Sequence, residues 1–307
     1  MGFLRVGKVV YLGVALAVVL VVTGAFLTPF HTETPLSPRV ILTDRGETPL
    51  TLSAGAYLAV YVDQGGATTK LVEKNADTEL PIASVTKLMT ALVAWEHFAP
   101  TDVIEVRAEA LSGKGNSGLY MVGEQLTFLS ALSALFVASH NEIAEAIALS
   151  FGGRGAFVAA MNQRARSLSL LNTAYINPSG LDPAPSDSVL NHSSVHDLYL
   201  LTRYLREQEP DLLTLSAERS YELVTLAGRH LSLSTTNELI QTSVGPFRIW
   251  AGKTGETPRA AQNLVIVAEA PCGGTLYALT LGSSDRFGDM RHLLEYVGAR
   301  FAFTCPQ

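Results

Sequence analysis

Charge is scarce in this chain. Only 16% of its 307 residues are Asp, Glu, Lys or Arg, and the formal net charge is -6. No run of lysines and arginines interrupts that balance, which argues against a nucleic-acid partner. Cysteine is scarcer still: Cys272 and Cys305 stand in no Cys-x-x-Cys or Cys/His spacing, so the usual zinc patterns are absent and no metal or other cofactor is expected. There is no internal repeat and no low-complexity tract. What the chain has in quantity is apolar. Hydrophobic residues make up 48%, enough for a sizeable core in one large or two small domains and too much for wholesale disorder.

The apolar residues are densest at the N-terminus. Arg5 and Lys8 precede an uncharged run over residues 9–30, and the first charge beyond it is acidic, at Glu33, with Arg39 and Asp44 further on. Such a run crosses a bilayer core of about 30 Å as a helix, and the charge asymmetry places the N-terminus in the cytoplasm and the rest outside. A cleaved signal peptide, giving a secreted or periplasmic protein, is the rival reading. Its apolar core is usually about 7–15 residues, and "TGA" at residues 23–25 is a poor cleavage site. The preferred division is therefore a membrane anchor or signal segment at 1–30, a Pro- and Thr-rich lead-in at 31–54 and a folded domain at 55–305. Outside the cytosol, Cys272 in "APCGGT" and Cys305 in "FTCPQ" could form a disulfide that ties down the tail. Two unpaired, partly buried thiols are the equal alternative, since sequence gives no distance between them.

Along the domain, "AYLAVYVD" and "TKLVEKN" read as a hairpin of strands around "QGGAT". Helical patterns follow, from about Ser84 to Phe98, in "EQLTFLSALSALFVAS", "NEIAEAIALSF", "GAFVAAMNQRARSLSL" and "SVHDLYLLTRYLREQ". Strands return in "PFRIWAGKTGE", "AAQNLVIVAEA" and "TLYALTLGSS", before the closing helix "RFGDMRHLLEYVGARFAF". Two strands alone are marginal, so the early pair must join the late three in one antiparallel sheet. The fold class is α+β: a five-stranded antiparallel sheet with a helical subdomain inserted between its halves.

Three stretches carry chemistry, and each has a bland alternative. Ser84 and Lys87 lie at i and i+3, on one face of a helix start. A serine hydroxyl needs a base, and a desolvated lysine can be that base; the alternative is an N-cap serine and a snorkelling lysine. "SHN" at residues 139–141 breaks two apolar helices. Ser139 could relay protons and Asn141 hold a substrate amide, or the tripeptide could simply end one helix and cap the next. "KTGE" at residues 253–256 ends a strand-like run. Lys253 and Thr254 could face a carboxylate, and Gly255 could let a ligand backbone approach; the alternative is a turn with a solvated lysine.

Their order is more informative than any one of them. Ser-x-x-Lys, Ser-x-Asn and Lys-Thr-Gly occur in the sequence of class A β-lactamases and penicillin-binding proteins, with His140 in the place of the usual middle residue. From about Ala54 to Phe303 the chain resembles the serine-type D-alanyl-D-alanine carboxypeptidases, the low-molecular-weight penicillin-binding proteins of the peptidase S11 family. "PIASVTKLMTALVA", "GNSGLYMVGEQLT", "INPSGLD", "KTGETPRAAQNLV" and "SSDRFGDMRHLLEYV" carry the likeness. Nothing after the closing helix resembles the extra C-terminal β-domain of some relatives, so the N-terminal span is expected to replace their anchor.

The resemblance implies a β-lactamase/penicillin-binding-protein transpeptidase-like fold and a serine DD-carboxypeptidase. Neutral Lys87 would take the Ser84 proton as Ser84 attacks the peptide bond between two D-alanines. Backbone N–H groups of Ser84 and Glu256 would form the oxyanion site. Ser139 and Lys253 would protonate the leaving D-alanine, with Lys253 also keeping Lys87 neutral. Asn141 would bind the substrate amide. Thr254 with Gly255, and Arg286 if it is not merely a surface residue, would bind the terminal carboxylate. The expected partners are peptidoglycan stem peptides, β-lactams as covalent inhibitors, and the membrane through the N-terminal segment. A DD-endopeptidase acting on cross-links, a class A-like β-lactamase and a binding module with a dead site are the alternatives.

Overall fold

The computed structural model describes residues 40–46, 49–113 and 115–305. The expected anchor and residues 31–39 and 47–48 of the lead-in lie outside the described residues. Residues Ser37–Gln307 form one compact unit. Among the described residues no single helix is long and apolar enough to cross a membrane.

The architecture is the expected one, with one strand more. The central sheet runs, edge to edge, Ser243–Val244, Phe247–Thr257, Ala261–Glu269, Thr275–Ser283, Ala56–Val62 and Thr68–Lys74, all antiparallel. Five strands were expected. The sixth is only two residues long, folded back by Gly245 at φ +55°, and two residues are too few to show a period.

Both faces of the sheet are covered. Along Ala56–Val62 every residue is buried. Leu58, Val60 and Val62 pack into the core shared with the helical subdomain. Tyr57, Ala59 and Tyr61 point the other way, into a second core under the closing helix Arg286–Arg300. Alternation of side chains across the pleat assigns them to the two layers. The helical subdomain comprises Lys87–Trp95, Phe128–Val137, Asn141–Phe151, Arg154–Ser167 and Val195–Gln208.

Part of the stretch read as an irregular lead-in is a strand. Ile41–Asp44 pairs with Phe301–Thr304. The guanidinium of Arg300 grips both oxygens of Asp44, Nε to Oδ1 at 3.0 Å and Nη2 to Oδ2 at 2.8 Å. Cys272 and Cys305 form a disulfide with Cα atoms 5.1 Å apart, so the tail strand is stapled to the turn Pro271–Gly273. A hairpin of Ser220–Val224 and His230–Ser234 was not anticipated, although Tyr221 and Leu223 alternate opposite Leu233 and Leu231 as a strand pair should.

Candidate active site

The site is built where the first helix of the subdomain meets the Phe247–Thr257 strand. Ser84 lies on a 3-10 turn, Ala83–Thr86, rather than in the α-helix proper, which begins at Lys87. Ala83 has φ +46°, a backbone that L-residues rarely adopt. Two glycines pack closely against that turn. A Cβ on Gly180 would fall 1.9 Å from the Ala83 carbonyl oxygen, and one on Gly255 would fall 2.6 Å from the Ile82 oxygen. Gly255 was read as room for a ligand backbone; in the structure the backbone that approaches it is the protein's own nucleophile turn.

Lys87 is fully buried. Its Nζ makes three contacts: Ser84 Oγ at 2.8 Å, Asn141 Oδ1 at 2.7 Å and the Ser179 carbonyl oxygen at 2.7 Å. An ammonium would donate to all three. A neutral amine has two N–H bonds and one lone pair, which match the two carbonyl oxygens and the Ser84 hydroxyl as donor. Both forms fit, and burial favours the uncharged one. Burial lowers the Lys87 ammonium to about 7, against the opposing pull of Glu142 and then Glu145.

Lys253 is the second buried lysine. Its Nζ donates to Ser139 Oγ at 2.7 Å and to the Thr254 carbonyl at 2.9 Å. Burial pushes it well below the usual lysine range, and the charges of Lys87 and Arg286 push the same way. The expectation that Lys253 keeps Lys87 neutral is thus revised: desolvation is the principal cause for both. Ser139 ends its helix at φ +59°, a left-handed residue that turns the chain into the cleft.

Asn141 spans two partners. Its Oδ1 accepts from Lys87 and its Nδ2 donates to the Gly115 carbonyl at 2.8 Å. The amide read as a substrate ligand is used at both ends by the protein. His140, by contrast, turns away from the cleft. It is buried, its Nδ1 lies 2.9 Å from the Tyr120 hydroxyl, and burial lowers its pKa.

Thr254 is buried beside the cleft, with its Oγ1 2.6 Å from Thr236 Oγ1. Glu256 is exposed, and its carboxylate is not free: Arg286 Nη1 donates to Glu256 Oε2 at 2.7 Å. Ser84, Lys87, Ser139, Asn141 and Lys253 thus lie in one hydrogen-bonded cluster, and Arg286 pairs with Glu256.

Several contributors were missed. Ser179 supplies the carbonyl that fixes Lys87, and Gly180 beside it supplies the space; both lie in "INPSGLD", whose residue types alone point to neither role. Glu142 and Glu145 lie one helical turn apart behind Asn141. Glu142 Oε1 accepts from the Ser117 backbone at 2.9 Å and from its hydroxyl. Glu142 Oε2 is buried without a partner among the described residues, and both carboxylates line a small cavity with Arg154 and Leu181.

Residues 44–284 match the profile of the peptidase S11 family, described as D-alanyl-D-alanine carboxypeptidase. The chain is 32% identical over 234 residues to a D-alanyl-D-alanine endopeptidase of Pseudomonas aeruginosa, covering 71% of this chain and 68% of that one. Among solved structures, a D-alanyl-D-alanine carboxypeptidase from Mycobacterium tuberculosis superposes with TM-score 0.72 at 25% identity, over 83% of this chain and 95% of that one. Penicillin-binding protein D2 from Listeria monocytogenes, in its cefotaxime-bound form, superposes with TM-score 0.69 at 27% identity, over 82% of this chain and 99% of that one.

Proposed function

The chain belongs to the peptidase S11 family of serine D-alanyl-D-alanine peptidases, and we propose that it is a DD-carboxypeptidase that removes the terminal D-alanine of peptidoglycan stem peptides through an acyl-enzyme on Ser84. The observation that carries this reading is the environment of Lys87. A buried lysine, lowered to about 7, touches one hydroxyl and two carbonyl oxygens. Neutral Lys87 takes the Ser84 proton as Oγ bonds to the carbonyl carbon between the two D-alanines. The backbone N–H groups of Ser84 and Glu256 receive the developing oxyanion.

The C–N bond then breaks, and the leaving amine needs a proton. The proton that Lys87 took from Ser84 is relayed to it through the hydroxyl of Ser139, which Lys253 holds at 2.7 Å, and Lys87 is left neutral again. Thr254 and Arg286 bind the carboxylate of the leaving D-alanine. Asn141 acts chiefly by holding Lys87 in place. Water then attacks the Ser84 ester, with Lys87 as base, and releases the shortened peptide. A β-lactam enters the same first step, but its opened ring leaves no departing fragment, and the adduct stays on Ser84.

A DD-endopeptidase is the second reading. The 32% identical Pseudomonas relative bears that name, and Arg286 is engaged by Glu256 in the substrate-free site. We further propose that residues 1–30 anchor the protein with its catalytic domain outside the cytoplasm. The Cys272–Cys305 bridge supports an oxidising compartment. Intact-mass analysis of protein from membranes should find residues 1–30 present; a soluble form starting near residue 26 would refute the anchor. The activity is tested by incubating the protein with a pentapeptide stem and with cross-linked muropeptides. Release of D-alanine from the stem supports the carboxypeptidase, cleavage of cross-links alone the endopeptidase, and neither product would overturn the peptidase reading.

A further inference from the structure

The ion pair between Arg286 and Glu256 is where the cleft departs from a simple carboxylate receptor. Sheet register sets Glu256 opposite Gln262 and Gln262 opposite Ser283, with Arg286 three residues further along the chain. Arg286 is fixed in that place. Its backbone N–H donates to Gln262 Oε1 at 3.0 Å, and its guanidinium lies 5.0 Å from the Phe287 ring centre. The Arg286 side chain is only 15% exposed, whereas that of Glu256 is 53% exposed. One oxygen of Glu256 meets one nitrogen of Arg286, and the Arg286 Nε–H is buried with no partner among the described residues. A guanidinium can hold a carboxylate by two parallel bonds, so this one is rigidly seated and incompletely used.

We propose that Glu256 is a specificity-determining residue: its carboxylate occupies Arg286 in the resting site and competes there with the free carboxylate of the substrate's leaving residue. The inference rests on the Ser84 peptidase reading. Glu256 and a C-terminal carboxylate are the same chemical group, and both cannot take the guanidinium without bringing two anions into contact. The substrate must displace Glu256, which is half exposed and can swing into water. Arg286 cannot follow, because its backbone and its ring contact hold it. A leaving residue whose carboxyl is tied up in an amide brings no charge and does not contest the pair. Glu256 therefore acts against free acids, a repulsive element of the kind specificity often needs. A solvent-exposed ion pair is worth up to about fivefold in affinity, which sets the size of the effect.

The test uses the full-length protein in detergent and two probes, an acylated D-Ala-D-Ala free acid and its C-terminal amide. The readout is the ratio of kcat/KM for the acid to that for the amide, which is internal to each variant and independent of its folded fraction. Glu256→Gln keeps the side-chain size and the backbone N–H. It should raise the acid/amide ratio about fivefold, mainly through a lower KM for the acid. In an Arg286→Gln background the same change should move the ratio less than twofold, because the contested cation is gone. A ratio within twofold of wild type in Glu256→Gln, or an equal rise with Arg286 replaced, overturns the competition. Hydrolysis that survives Ser84→Ala would instead overturn the peptidase reading itself, so the two failures are distinct.

Discussion

Lys87 holds its Nζ 2.8 Å from the Oγ of Ser84 at the base of the cleft, within proton-transfer reach of the nucleophile before any substrate arrives. Since burial lowers Lys87 to about 7, the neutral base forms as pH rises through that value. Acylation of Ser84 by a fluorescent penicillin should speed up with an acid limb near pH 7 and flatten above it. Replacing Lys87 with Met should slow acylation by about 10²–10⁴-fold, the usual loss of general-base help, and Ser84→Ala should not label at all. Labelling of Ser84→Ala, or a rate flat from pH 5.5 to about 8.5 in wild type, would remove Lys87 and Ser84 from these roles.

The same burial couples stability to pH. Unfolded, Lys87 keeps its proton up to its ordinary 10.5; folded, it loses it near 7. Between those values the unfolded chain binds more protons, so unfolding free energy rises with pH. Below about pH 7 both states are protonated and the cost of the buried ammonium is fully present. One whole proton of difference gives a slope of about 1.4 kcal/mol per pH unit. Lys253, lowered by burial too, adds a slope of the same sign. Urea unfolding between about pH 7.5 and 9.5 should show wild type gaining stability faster than Lys87→Met. Parallel slopes would contradict the buried neutral lysine.

Gly180 permits the nucleophile turn to form. Its φ is +83° and a Cβ there would meet the Ala83 oxygen at 1.9 Å. Gly180→Ala should cost about 3 kcal/mol or more, from left-handed strain and overpacking together. The fraction that remains folded should label slowly with penicillin, because Ser84 and the Ser179 carbonyl are displaced together. Wild-type labelling and an unchanged melting temperature would show that the loop does not support the turn.

The disulfide separates stability from catalysis. It closes a stretch of 33 residues between the turn at Cys272 and the tail at Cys305, and cross-links of that span contribute about 2–4 kcal/mol. The turn lies at the Glu269–Thr275 end of its strand pair, while the cleft residues lie toward the Gln262–Ser283 end. Cys305→Ser should therefore lower stability by about that amount and leave the penicillin acylation rate near wild type. A large loss of rate in folded protein would mean that the tail strand supports the cleft.

These relationships were unequally visible in the sequence. Ser84 with Lys87 and Lys253 with Thr254 are local pairs, fixed by helical or strand spacing, so the order of the motifs sufficed to place them. The carbonyl of Ser179 meets Lys87 across 92 residues, and a backbone oxygen leaves no trace in residue identity. Gly180 and Gly255 were readable as glycines, but what presses against them is the same turn from two distant segments, which only the fold reveals. The hairpin at Ser220–Val224 did leave a signal in its alternating Tyr221 and Leu223. The two-residue strand at Ser243–Val244 could not, being shorter than any period.

The lifetime of the penicilloyl ester separates a peptidase from a β-lactamase. A class A β-lactamase uses a dedicated glutamate to activate the water that clears the penicilloyl ester. Between Asn141 and Lys253 this chain has "INPSGLD" in the corresponding region, and Glu207, Glu209, Glu218, Glu222 and Glu238 lack the context of such a base. Each of the two carboxylates behind Asn141 has one oxygen held by a neighbour. Glu142 accepts from Ser117 and Glu145 from Arg154. Among the described residues Lys87 is the base that touches Ser84, and a penicilloyl group filling the cleft bars water from the approach that a departed D-alanine leaves open. Loss of general-base help costs about 10²–10⁴-fold, so the penicilloyl adduct on Ser84 should persist for many minutes while a D-Ala-D-Ala peptide turns over. The measurement is the decay of labelled protein after excess penicillin is removed, beside D-alanine release by the same preparation. Fast loss of label without peptide cleavage would replace the peptidase with a β-lactamase.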